Sequence, residues 1–420
     1  MTKYIIITGG IATGTGKTCL ASSIGYILST YGMNISMIKF DGILNLNFKS
    51  LINSKSKEEI IWDGEEVFIT KNGNFLDSDI GSYERFLHKD FSSLNNIVSG
   101  ECYNEIIKNQ LSGRYKKGEI ITINSHLIPL YLKKIYAASK NSDVCIIEIG
   151  GTLGDYESLF FIKALNTLKN INPKKFISLH YCYLPLKSSF DISEKEPFLL
   201  KIVKQSVDKA NLLSINTDIL VVRSDIKLLN KHKKRIMRDC FLNKDKIWRI
   251  PSVKDIYTLP IEILNSKQYR ILINLLGITK RRIKGNLERF NELKIKNVSK
   301  VLIIGETESS GSYISLKEAV KHSLKSFGYS ANIKWIKGSQ IENEIIKDYD
   351  YIIITDGKEN IRGKRDIINN YSLPILCIGN ICNTIKINKI NCFYINKHIE
   401  YRSKPMNPSL NKFFKKWKKD

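Results

Sequence analysis

Tyr4-Ile-Ile-Ile-Thr-Gly-Gly-Ile-Ala-Thr-Gly-Thr-Gly-Lys-Thr18 reads as a buried strand, a glycine loop and the start of a helix. That arrangement presents a row of backbone N–H groups to a phosphate at a helix N-terminus. Lys17 supplies a point charge for the outer phosphates, and Thr18 a hydroxyl for a bound Mg²⁺. Gly14, Thr15 and Gly16 complete the turn around the anion. Isoleucine occupies position 11, where the strict G-x-x-x-x-G-K-[ST] spacing has its first glycine, so counting from Gly10 gives a loop one residue longer. The fold class expected from this start is α/β, with a P-loop NTPase-like parallel sheet.

The longer loop resembles those of ATP-dependent ligases related to dethiobiotin synthetase. Downstream, apolar residues at helical spacing (Leu20, Ile24, Ile27, Leu28) predict a helix from Cys19 to Tyr31, closed by Gly32. Asn34 to Asp41 reads as a strand that ends on Lys39 and Asp41. In a parallel sheet the C-terminal strand ends face the ligand crevice, so both charges point toward the phosphates. The Lys-, Ser- and Asn-rich stretch from Phe48 to Glu59 suggests a mobile loop.

Two acidic segments follow. Phe75-Leu-Asp-Ser-Asp-Ile-Gly-Ser-Tyr-Glu-Arg-Phe86 brings Asp77, Asp79 and Glu84 into a basic protein, and Mg²⁺ takes oxygen ligands of this kind. Asp143-Val-Cys-Ile-Ile-Glu-Ile-Gly-Gly-Thr-Leu-Gly-Asp-Tyr-Glu157 runs a buried strand into Glu148, the place of a Walker-B-type carboxylate. Gly150-Gly151 lets backbone approach a ligand, and Asp155 and Glu157 suit ribose hydroxyls.

At 420 residues the chain has room for two domains, and 43% hydrophobic with 25% charged residues is the composition of a soluble globular protein. No apolar run reaches the roughly 20 residues of a membrane span, and the N-terminus does not read as a signal peptide. A cytoplasmic protein with no membrane partner is therefore expected. Eight scattered cysteines without a C-x-x-C pair read as reduced thiols. The net charge of +25 is spread along the chain, with no stripe of Lys and Arg interleaved with aromatics, so no nucleic-acid partner is expected.

Taken together, the motifs resemble the CTP synthase family, which aminates UTP. Gly9-Gly10 through Gly16-Lys17 matches its P-loop, Lys39-Phe-Asp41 its K-L-D, and Asp79 to Phe86 its D-L-G-x-Y-E-R-F. Asn95-Asn96 with Gly100, the block Glu148 to Glu157, His180 with Pro185, and Arg223-Ser-Asp225 continue the match in order. The resemblance implies that Lys17 and Lys39 contact ATP phosphates, that Asp79 and Glu148 hold Mg²⁺, and that Thr13, Asp155 and Glu157 line the UTP/CTP site. It implies further that CTP acts as feedback inhibitor and that the protein is a homotetramer, because the family's UTP site lies between subunits. The UTP-phosphate segment K-T-K-P-T-Q survives only as Leu199 to Lys204, leaving Lys201 and Lys204; a second register runs through Lys195 and Pro197. Arg235 stands where the family has another nucleotide-site lysine.

A synthase domain is expected over residues 1–265, a linker over 266–299 and a second domain over 300–420. The second resembles a smaller, flavodoxin-like remnant of the family's glutamine amidotransferase domain. Aligning Asn370 to Asn380 with the family's nucleophile turn places Gly379 at the nucleophile position, with Cys377 two residues early and Cys382 three late. His398-Ile-Glu400 still resembles the base and its orienting carboxylate. Such groups act as a unit, so the resemblance implies a glutaminase without activity and amination from free ammonia. Two other readings are a P-loop ligase of the dethiobiotin synthetase type and a non-catalytic relic that binds nucleotide or forms filaments.

Overall fold

The computed structural model describes residues 2–10, 14–46, 67–70, 72–184, 189–225, 228–305, 311–336, 340, 347–355, 374–378, 392–395 and 413–415. The stretch from Phe48 to Glu59 lies outside them, as do Thr13, Gly379, Cys382, His398 and Glu400. The strands are β1 (Lys3–Gly9), β2 (Ile35–Asp41), β3 (Val67–Ile69), β4 (Phe75–Asp77), β5 (Asn96–Val98), β6 (Val144–Ile149), β7 (Phe176–Leu184), β8 (Ile219–Ser224), β9 (Ile247–Ile250), β10 (Asn297–Ile304), β11 (Tyr329–Ile336), β12 (Tyr351–Ile354), β13 (Ile375–Ile378) and β14 (Cys392–Ile395). The α-helices are α1 (Lys17–Ser29), α2 (Ser78–Leu87), α3 (Ser99–Leu111), α4 (Ile128–Ser139), α5 (Leu159–Ile171), α6 (Ser189–Leu212), α7 (Asn230–Cys240), α8 (Leu259–Ser266), α9 (Arg270–Leu275), α10 (Asn286–Asn291) and α11 (Gly311–Ser326). Two compact units result: Met1–Ser54 with Phe91–Glu288, and Lys55–Asp90 with Arg289–Asp420. No helix among the described residues is long and apolar enough to cross a membrane.

The first unit holds a seven-stranded sheet in the order β5-β2-β6-β1-β7-β8-β9, with every pairing parallel. Strands buried on both faces read as unbroken apolar runs, which is why Ile5-Ile-Ile7 and Val144 to Ile147 are fully buried. From β1 the chain crosses to β2 on one side, and from β6 it crosses to β7 on the other. The connections therefore part around β1, and the crevice opens at the C-terminal strand ends beside it. Packing over the sheet is aromatic: Phe40 stacks on Phe161 with centroids 3.9 Å apart, and Tyr131 meets both rings edge-on. Helix α1 begins two residues before the expected start, directly at Lys17, and Gly32 beyond its end takes φ +70°.

The second unit has a five-stranded parallel sheet in the order β11-β10-β12-β13-β14. Counted within the unit this is 2-1-3-4-5, the flavodoxin-like arrangement. Leu316, Ala319, Val320 and Leu324 of α11 pack on Val301, Ile303, Ile353 and Leu376 together with Phe413 and Phe414. The same unit carries the antiparallel pair β3–β4 and α2.

Candidate nucleotide site

Strand register sets the first unit's crevice. Lys39 of β2 and Ile7 of β1 both pair with Glu148 of β6, while Thr8 and Gly9 pair with His180 and Tyr181 of β7. Beyond the strand, the Gly10 amide still donates to the Tyr181 carbonyl at 2.9 Å. The turn into α1 then needs φ +65° at Gly14 and +107° at Gly16, backbone that glycine adopts without Cβ strain. Neither a capping side chain nor an acidic residue occupies the first turn of α1. Its N-terminal amides and positive dipole end suit an anion.

Lys17 is buried and donates to the Gly151 carbonyl, so its ammonium bridges the P-loop helix and the turn after β6. Its side chain lies over Gly9, where a Cβ would stand 2.5 Å from Lys17 Cδ. A side chain at position 9 would displace the Lys17 ammonium from this place. Thr18 Oγ1 donates to Glu148 Oε1 at 2.8 Å, and Glu148 is 1% exposed. A hydroxyl and a buried carboxylate held together at the mouth of a phosphate loop are the hard oxygen donors that Mg²⁺ takes, so these two residues fit the ion.

Lys39 lies 3.6 Å from Asp41, and Asp41 also accepts from Asn96 Nδ2 at 2.8 Å. Gly150 makes this arrangement possible, since a Cβ there would come within 2.8 Å of the Asp41 carboxylate. Glu157 packs its Cβ against Gly42, just past β2. Asp155 closes its own turn, accepting from the Thr152 amide at 2.8 Å and the Thr152 hydroxyl at 2.6 Å. Gly10, Thr152, Leu153, Gln205, Ser206 and Lys209 line a cavity of ≈ 210 Å³ beside the loop.

The other sequence-derived positions are placed as follows. Lys201 is exposed on α6; Lys204, on the same helix, binds Asp208, and Arg235 of α7 lies 3.4 Å from Asp239. Asp79 belongs to the second unit, in the first turn of α2, where its amide is capped by Asp77 at 2.6 Å. Cys377 is fully buried inside β13. Among the described residues, no group of three or more His, Cys, Asp or Glu side chains could by itself hold a metal ion.

Motif reading assigned no role to Arg223 or Tyr181, yet both grip the loop. Tyr181 Oη and Arg223 Nη1 donate to the Thr15 carbonyl, the latter at 2.6 Å, and Arg223 Nε reaches Ser252 at 2.9 Å. Burial pushes the Tyr181 phenol up to about 12, so it stays a donor at neutral pH. Beneath the loop, burial lowers His180 to about 4, with the nearby Lys17 ammonium adding to the effect. Its ring stands between Thr8 Oγ1 at 2.8 Å and Ser206 Oγ at 2.6 Å. All these residues stand at C-terminal strand ends or face one, a signal that needs the strand order to be read.

The sequence profile of the CTP synthase N-terminus matches residues 3–278. Over 93% of the chain, the CTP synthase of Methanosphaera stadtmanae is 30% identical and that of Methanoregula boonei 28%, and the alignments cover 74% of each relative. The Bacillus subtilis CTP synthase is 28% identical over 85% of the chain and 66% of its own length. A profile match over most of the chain, on a parallel sheet whose strand ends carry Lys17, Lys39 and Glu148, leads to one conclusion: the chain belongs to the CTP synthase family.

Proposed function

We propose that this protein aminates UTP to CTP at the expense of ATP, and that the nitrogen comes from free ammonia. The observation that carries the first part is the Thr18–Glu148 hydrogen bond at the mouth of a glycine loop, with Lys17 beside it. In this reading the loop amides and Lys17 hold the ATP phosphates, with Lys39 approaching from the end of β2. Thr18 and Glu148 would hold Mg²⁺, which when bound offsets the negative charge of the phosphates. Lysine ammonium groups stabilise charge on the transferred phosphoryl group, and catalysis here is mostly positioning. The O4 oxygen of UTP takes the γ-phosphoryl of ATP, releasing ADP. Ammonia then adds at C4 and phosphate departs with its C4–O bond, leaving the amino group of CTP.

The cavity beside Gly10 and Thr152 is the natural place for the second nucleotide, next to the Thr152–Asp155 turn. Thr13, Lys201, Lys204 and Arg235 would complete a UTP/CTP site in the assembled homotetramer, where CTP competes as feedback inhibitor. Asp155 acts there through its turn as well as its charge, since both of its oxygens hold Thr152.

Free ammonia as donor is supported by the second unit. The nucleophile position falls on Gly379, which has no side chain, and Cys377 is sealed within β13. A thiol that is fully buried in a strand cannot attack a substrate amide. Purified protein given UTP, ATP and Mg²⁺ should form CTP with ammonium chloride and none with glutamine. CTP formed from glutamine would defeat the ammonia reading, and silence with both donors would defeat the synthase reading.

A further inference from the structure

A polar chain runs through the apolar first sheet just under the glycine loop. Thr8 is the second-last residue of β1, His180 is its register partner on β7, and Ser206 faces His180 from α6. All three are buried, at 0%, 1% and 4% exposure. Their neighbours along the strands are Ile7, Leu179 and Tyr181, equally buried. Apolar side chains would fill the same place without the desolvation cost of a polar network, so the network's distinctive property is geometric definition.

What it defines is the seat of the loop. Ser206 Oγ, fixed by its 2.6 Å bond to His180 Nε2, lies where a Cβ on Gly10 would approach to 2.7 Å. The same hydroxyl borders the cavity shared by Gly10, Thr152 and Lys209. The ring's other nitrogen holds Thr8, two residues before Gly10. One imidazole therefore spaces the strand that launches the phosphate loop from the helix that walls the cavity and carries Lys201 and Lys204.

We infer that His180 is a positioning residue: through Ser206 and Thr8 it couples the geometry of the phosphate loop to the cavity that takes the second nucleotide. The role assigned to the cavity rests on the function proposed above; the coupling itself does not. Neutral imidazole offers one donor and one acceptor, and the amide of glutamine likewise presents both a donor group and an acceptor.

Ser206→Ala, His180→Leu and His180→Gln in the full chain test the inference. With ammonium chloride as donor, Ser206→Ala and His180→Leu should raise KM for UTP about fivefold to tenfold, the size of one lost hydrogen bond, with kcat within about twofold. His180→Gln should restore KM to within about threefold. Hydrogen exchange supplies a readout independent of activity. In Ser206→Ala, a substitution small enough to leave the sheet intact, amides of the loop peptide 5–20 should exchange about fivefold faster although the change lies on α6. Wild-type KM and wild-type loop exchange in Ser206→Ala would overturn the inference. A wild-type protein that forms no CTP defeats the proposed function alone, and the exchange measurement still decides the coupling.

Discussion

Among the described residues, the two parallel sheets of this chain end differently. In the first unit four strands carry polar side chains at their C-terminal ends: Lys39 and Asp41 on β2, Glu148 on β6, His180 on β7 beneath the loop, and Arg223 on β8. In the second, the described strands β10, β12 and β13 end on Ile304, Ile354 and Ile378, and the described residues that follow, Gly305 and Thr355, are packed inside. Both sheets are held by the same kind of apolar run, fully buried on both faces. Architecture needs only those runs, while chemistry needs particular residues one or two positions beyond them. A unit can therefore lose its reaction and keep its fold, as the proposed function supposes for the glutaminase remnant.

The largest effect is expected from removing a charge from the first crevice. Lys17→Ala takes away the ammonium that spans the P-loop and the Gly151 carbonyl, and ammonia-dependent CTP formation should fall by about 10³-fold, as when a preorganised phosphate contact is lost. Cys377→Ala in β13 should leave that activity within about twofold, since a buried strand thiol packs as a small apolar side chain. If the two substitutions cost the same activity, the difference drawn between the sheets is wrong.

Much of the first unit is legible in the sequence. The run Tyr4 to Thr18 announces strand, loop and helix because each piece is local, and strand-end charges such as Lys39 and Glu148 follow from period and position alone. The flavodoxin-like second sheet is what the resemblance to the family's amidotransferase domain implies, and the strand order agrees. What escaped depends on strand order. Thr15, Tyr181 and Arg223 meet only because β1, β7 and β8 lie side by side, though they are far apart in the chain. Asp155 shows another limit: a carboxylate three residues after a threonine can serve a ligand or its own turn, and only geometry reveals the bonds to Thr152. The association of α2 with the second unit is a long-range packing outcome with no local signature.

A smaller effect should appear in the acid limb of stability. Each unit buries one histidine lowered to about 4, His180 beside Lys17 in the first and His322 in the second, where burial dominates and Glu318 opposes it. The unfolded chain protonates near the ordinary histidine value while the folded one resists, so stability is full above about pH 6.5 and is lost as pH falls toward 4. Between pH 6.5 and 5 each site should cost about 2 kcal/mol. Urea unfolding at pH 7 and pH 5 measures the loss, and His180→Gln should flatten it for the first unit while the second keeps its slope. Equal slopes for wild type and His180→Gln would show that His180 is already neutral in the unfolded chain or protonated in the folded one.

The smallest effect belongs to the exposed face of the same unit, where α6 and α7 carry the cations proposed for UTP phosphates. Lys204 is held by Asp208 four residues on, and this hydrogen bond raises its proton affinity; Arg235 is similarly matched by Asp239. Such exposed pairs contribute little to stability, so neither substitution should move the unfolding midpoint. Substrate affinity should respond in opposite directions. Lys204→Ala should raise KM for UTP about threefold, and Asp208→Asn, which releases the ammonium from its partner, should lower it by about twofold, with both shifts shrinking as salt rises from low to physiological strength. Matching signs in the two variants, or shifts insensitive to salt, would remove Lys204 from the phosphate site.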